Sequence, residues 1–149
     1  MDWVVVLYGY APVRVVLTDQ NDNVPLFTQN IYTSSVLEGK NKGTFVVQVG
    51  ATDADKGSNA RLAYHIVDGN HDNAFVIEPA FSGSIQTNIV LDREIRDSYR
   101  LTVIVTDEGL PQLTGTAMVK INIIDINDNQ PTFPPHSSVK ISESKYNSY

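Results

Sequence analysis

Apolar side chains fall on alternate positions at Ala11, Val13, Val15 and Leu17, and again at Ala117, Val119, Ile121 and Ile123. A period of two marks a strand with one buried face. Shorter strand-like runs occupy 31–37, 44–50, 61–66, 74–78, 84–90, 98–106 and 115–124, which makes seven candidate strands. The runs 44–49 and 101–106 are rich in β-branched residues, which suit a pleated, half-buried surface. Gly57-Ser58, Asp68-Gly69-Asn70, Ser82-Gly83 and Glu108-Gly109-Leu110-Pro111 separate runs with loop chemistry. No segment sustains a helical period, although Arg93–Arg100 has room for one helical turn. The pattern predicts an all-β fold, a seven-stranded antiparallel Greek-key sandwich with immunoglobulin-like topology.

The alternating strands precede a repeated motif. Asp19-Gln20-Asn21-Asp22-Asn23 returns as Asp125-Ile126-Asn127-Asp128-Asn129, an offset of 106 residues. Pro25 and Phe27 return at the same offset as Pro131 and Phe133. A weaker match, with a one-residue gap, aligns Glu38 with Ser142-Glu143. The economical reading is a tandem array cut from its neighbours. Residues 1–18 then hold the last strand of a preceding unit behind an atypical start. Residues 19–23 and 125–129 are linkers, 24–124 are a complete unit, and 130–149 begin a following one.

Charge sharpens this picture. The 149 residues carry 17 Asp+Glu against 11 Lys+Arg, a formal net charge of −6, and no Cys. The acidic balance argues against nucleic acid as a partner. The lack of Cys excludes disulfides and thiolate metal sites. Ten of the 17 acids fall in motifs: Asp19, Asp22, Glu38, Asp53, Asp55, Asp92, Glu94, Asp107, Asp125 and Asp128. In a sandwich, successive strand ends alternate between poles. Asp53, Asp55 and Asp107 therefore share one pole with the first linker. Glu38, Asp92 and Glu94 share the other with the second.

Two carboxylates about 4 Å apart repel by roughly 4 kcal/mol at an effective dielectric near 20. A cation relieves this. Carboxylates, Asn amides and backbone carbonyls suit a hard ion with many oxygen ligands, so Ca²⁺ is favoured over Zn²⁺ or Cu²⁺, and over Mg²⁺ with its tight hydrated octahedron. One Asp-x-Asp loop is ordinarily a solvated turn, and one DxNDN run an Asx-turn. The co-occurrence of four acidic motifs, one doubled at the domain period, argues against that reading. An EF-hand fails: its sixth and twelfth positions need Gly and Glu, whereas counting from Asp19 they are Val24 and Asn30, and from Asp125 they are Gln130 and His136.

The set Pro25-x-Phe27, Glu38, Ala51-Thr52-Asp53-Ala54-Asp55, Leu91-Asp92-Arg93-Glu94, Val105-Thr106-Asp107-Glu108-Gly109 and the two DxNDN runs resembles a cadherin extracellular repeat. The unadorned linkers and array-like organisation resemble the Fat and Dachsous type or protocadherins. The resemblance implies three Ca²⁺ ions at each junction between repeats. At the upper junction it implies Asn21, Asp22, Asn23, Asp53, Asp55, Asp107 and the carbonyl of Asn59, with the partners of Asp22 in the preceding unit. At the lower junction it implies Glu38, Asp92, Glu94, Asp125, the carbonyl of Ile126, and Asp128. Asn127 and Asn129 would serve a third ion completed by the following unit.

Asp2-Trp3-Val4-Val5 resembles the start of a mature adhesive cadherin, but that mechanism needs a complete repeat after the tryptophan. Here only Val4 to Thr18 intervene before the linker, so the likeness is read as coincidence. The apolar run Trp3–Tyr8 is too short for a signal-peptide core and lacks a basic flank, so no export signal is expected within this chain.

The resemblance implies a Ca²⁺-rigidified adhesion module at the extracellular face of the plasma membrane. Its partners would be adjacent repeats and other cadherin ectodomains, bound homophilically or heterophilically, with any membrane span outside the fragment. A non-adhesive rigid spacer is the alternative. An enzyme would have to use Asp92 and Glu94 as paired carboxylates or His65 or His71 as a base, without a nucleophile motif or a phosphate loop. No enzymatic activity is expected.

Overall fold

The computed structural model describes residues 8–129. Nine strands follow in chain order: β1 Leu26–Phe27, β2 Ile31–Leu37, β3 Phe45–Gln48, β4 Ala51–Thr52, β5 Ala63–Asp68, β6 Phe75–Ile77, β7 Ser84–Thr87, β8 Ser98–Thr106 and β9 Thr114–Ile124. The seven predicted strands are β2, β3, β5, β6, β7, β8 and β9. One sheet has the order β2-β9-β8-β5 and the other β3-β7-β6. They face each other as the two layers of an immunoglobulin-like sandwich.

Alternation along the strands builds the core. Tyr99, Leu101, Val103 and Val105 of β8 are buried, as are Ala117, Val119, Ile121 and Ile123 of β9. Val46, Phe75 and Ile85 are buried from the opposite sheet. Phe75 meets Tyr99 edge-on across the sandwich, with ring centroids 4.9 Å apart, an arrangement that matches ring edge to ring face.

Two features depart from the predicted pattern. The first strand is split: β1 pairs antiparallel with β4, and β2 pairs with β9 in the larger sheet. The crossover is fixed at Gly50, whose carbonyl accepts from Thr28 N (2.9 Å) and the Tyr32 hydroxyl (2.9 Å). Second, β2 and β9 are parallel, whereas the other pairings are antiparallel. The unit enters at one pole and leaves at the other, so its outer strands run in the same direction. The single turn for which 93–100 had room is present, and no longer helix forms there among the described residues. Asp92 caps a turn there, its Oδ1 accepting from Ile95 N (3.2 Å) and its carbonyl from Arg96 N (3.0 Å). The 3-10 turns at Gly57–Ala60 and His71–Asn73 gave no periodic signal.

Residues 8–18 carry no strand pairing among the described residues, and Val13 and Leu17 are 83% and 92% exposed. No helix among the described residues is long and apolar enough to cross a membrane. The expected start of a following unit, including Pro131 and Phe133, and the Trp3 segment lie outside the described residues.

Candidate metal centres

The upper pole is assembled where β4 and β8 end. Asp53 follows β4 and Asp107 follows β8, and residues 19–23 lie across both loops. Asn21 is buried, and its Nδ2 donates to Asp107 Oδ2 (3.0 Å) and to the Pro111 carbonyl (2.6 Å). Asn23 donates from its backbone to Asp55 Oδ2 (3.1 Å), and its amide donates to the other oxygen of Asp55 and to Asp22. Asp55 N in turn donates to Asp53 Oδ1 (2.8 Å). Asn59 joins through its side chain, Nδ2 donating to Asp19 Oδ2 (3.1 Å). Asp22 is exposed.

Asp107 is almost fully buried. Burial pushes its carboxyl pKa up. Hydrogen bonds from Asn21 and from the backbones of Leu113 and Gly109 outweigh this and hold it below the ordinary value. It is therefore a carboxylate at neutral pH. Two oxygens at this pole, Asn21 Oδ1 and Asp53 Oδ2, are buried without a hydrogen-bond partner among the described residues. Orphaned buried acceptors are costly and call for an explanation, an ion among them. With an all-oxygen donor set around them, the residues fit a hard cation.

The lower pole follows from the parallel register. Leu37 lies opposite Ile124, so the residues that follow, Glu38 and Asp125, emerge side by side. Glu38 N donates to the Ile124 carbonyl (3.1 Å), and Gly39 N to the Leu91 carbonyl (3.0 Å), which ties the Asp92 turn to the same corner. The Glu38 side chain is 1% exposed, and its two oxygens accept from Ile126 N and Arg93 N, each at 2.7 Å. These two bonds hold its pKa below the ordinary value. Glu38, Asp92 and Glu94 bring carboxylate oxygens within 4.8 Å of one another. At Glu94 a bond from its own backbone favours the charged form, but partial desolvation and the charges of Glu38 and Asp128 prevail and raise its pKa. This is the electrostatic signature of acids in want of a counter-charge.

Asp125 emerges beside Glu38 and lowers its pKa further. Asp128 accepts from Asn129 Nδ2 (3.0 Å), and Ile126 offers its carbonyl to Asp128 N. Asn127 is exposed. Sequence reasoning gave no role to Asp19 beyond its place in the motif. It also passed over the Pro111 carbonyl and Gly109, against which the Asn21 side chain lies. The Asp107-Glu108-Gly109 spacing was visible, but nothing in it announces a contact with a residue 86 positions earlier.

Comparison with known proteins agrees with this architecture. A family model describing the cadherin domain matches residues 32–124. The chain is 65% identical over 137 residues to Protein dachsous of Drosophila melanogaster, covering 92% of this chain and 4% of that protein. It is 46% identical over 135 residues to Protocadherin-23 of Homo sapiens, covering 91% and 4%. The chain thus spans only a small part of the length of these relatives. Among solved structures it resembles human CDH23 EC21-23 with a TM-score of 0.73 and 33% identity, covering 77% of this chain and 38% of that one. Cadherin repeats of adhesion proteins are non-enzymatic structural modules. With the sandwich, the polar acids and these matches together, the chain belongs to the cadherin family.

Proposed function

We propose that this chain is a calcium-dependent cell-adhesion module. Ca²⁺ at the two poles offsets carboxylate repulsion and locks consecutive repeats into a stiff rod. The rod presents an ectodomain to another cadherin, homophilically or heterophilically, at the extracellular side of the plasma membrane. The observation that carries this is the pair of buried oxygens without a hydrogen-bond partner among the described residues, Asn21 Oδ1 and Asp53 Oδ2, at a pole rich in carboxylate and amide oxygens. In this reading Asn21, Asn23, Asp53, Asp55, Asp107 and the Asn59 carbonyl hold the ion nearest the repeat. Asp22 serves ions shared with the preceding unit. Glu38, Asp92, Glu94, Asp125, the Ile126 carbonyl and Asp128 hold the lower ions, and Asn127 and Asn129 serve the following repeat. Residues 1–18, with their alternating apolar pattern, belong to the preceding repeat and 130–149 to the next. Extracellular modules bind Ca²⁺ at about 10⁻⁴–10⁻³ M, so the sites fill outside the cell.

The test is a chain extended to include the preceding repeat. Its melting temperature should rise on adding Ca²⁺, and Asp55→Ala should abolish the rise. An unchanged response in that variant rejects the proposal. Bead aggregation with and without this repeat then separates an adhesive unit from a rigid spacer.

A further inference from the structure

β6 is an outer strand of its sheet, and β5 of the other. An outer strand offers unpaired N–H and C=O groups to any further strand. On β6 these groups turn outward at alternate residues. The Ala74 carbonyl accepts from Asn88 N on the β7 side (2.7 Å), so Phe75 and Ile77 turn theirs away from the sheet. The Asn70 amide takes both groups of Phe75: its Nδ2 donates to the carbonyl (2.9 Å) and its Oδ1 accepts from the N–H (3.0 Å). Two residues beyond Ile77, Pro79 has no N–H to extend a ladder. Ile77 makes no backbone bond on that side among the described residues. It lies beside a groove of about 250 Å³ between β5 and β6. The loop that carries Asn70 is fixed. A Cβ at Gly69 (φ +74) would overlap the Arg100 carbonyl. Asp72 and Asn73 adopt left-handed backbone (φ 57 and 53), uncommon for residues with a Cβ, and Asn88 Nδ2 donates to the Asn73 carbonyl (3.0 Å). At the other end of the groove the Ala80 carbonyl accepts from Tyr64 N of β5 (2.8 Å).

We propose that Asn70 is a latch that closes this side of the sandwich to strand addition, and that the partner it excludes is β6 of a second copy of the chain. Two β6 edges are self-complementary in an antiparallel pairing about a two-fold axis. Such a pairing needs a run of open groups. Here only Ile77 remains between the Asn70 amide and Pro79. The amide makes the two bonds that an antiparallel neighbour would make, with no strand attached. The far side of the sandwich is treated alike: Ser34 Oγ donates to the Val46 carbonyl of β3, the outer strand there (2.7 Å). No residue of the candidate metal centres takes part, so the latch does not rest on the calcium reading.

Hydrogen exchange and sedimentation of the full chain test the latch at about 0.15 M salt, where repulsion between charges is screened beyond about 8 Å. In the wild type the Phe75 amide should exchange about tenfold more slowly than that of Ile77, the scale of one hydrogen bond. Asn70→Ala should strip Phe75 of protection in dilute solution and self-associate more tightly than the wild type. As its concentration rises, Phe75 and Ile77 should become protected, while Leu101 in the core stays protected throughout. Asn70→Asp keeps an acceptor for Phe75 N and places a charge on the edge. It should keep Phe75 protected and leave association at the wild-type level. An unprotected Phe75 in the wild type or in Asn70→Asp overturns the latch, and these two arms decide if Asn70→Ala fails to fold. Wild-type association in a folded Asn70→Ala also overturns it. So does association of that variant with Ile77 still exchanging freely, because the contact then lies elsewhere.

Discussion

Tyr99 shows how one buried side chain sets a pH limit unrelated to the metal sites. Its ring packs on Phe75, and the Arg96 guanidinium lies 5.5 Å from the ring centroid. Burial raises the phenol pKa above its ordinary value near 10; Arg96 opposes this and Asp72 adds to it. A raised folded-state pKa means the neutral phenol is favoured in the fold. The associated stability is fully present below pH about 10 and is lost as pH rises toward the raised value. Chemical denaturation across this range should therefore show a steeper alkaline loss in the wild type than in Tyr99→Phe. Identical slopes would show that Tyr99 ionises as freely in the fold as in the unfolded chain.

At the scale of elements, the entry strand depends on a close approach. Pro25 is fully buried just before β1, and its carbonyl occupies the space beside Gly115 that a Cβ would fill. Gly115 thereby lets the chain leaving the linker lie against β9. Gly115→Ala should displace β1 and cost about 1–3 kcal/mol, the usual penalty of overpacking. This would appear as a lower denaturation midpoint with the Ca²⁺-dependent shift retained. An unchanged midpoint would mean that β1 adjusts without strain. All seven main strands were legible because alternation is local. The split of the first strand and the parallel β2–β9 pairing were not, because they depend on which pole the chain enters and leaves.

For the whole molecule, ten of the 17 acids fall in the motifs at the two poles. Raising ionic strength from about 0.01 M to 0.15 M shortens the Debye length from about 30 Å to about 8 Å. In EGTA this screening should raise the melting temperature of the chain. If Ca²⁺ neutralises the poles, the same salt step in saturating Ca²⁺ should produce a smaller rise. Equal salt responses in the two conditions would show that the acids at the poles are not what Ca²⁺ relieves.

The sequence by itself determined the sandwich class, the repeat period and the chemical type of the candidate ligands. Side-chain period follows from local backbone geometry, and an excess of Asp and Asn at strand ends is visible without a fold. Tertiary structure decided which of these residues meet. Asn21 reaches Asp107 across 86 positions and Glu38 reaches Ile126 across 88. Such contacts depend on sheet register and on the order of strands, and no local pattern encodes either. The bonds between Asn70 and Phe75 are local, but that they cover an open edge follows from the order of strands.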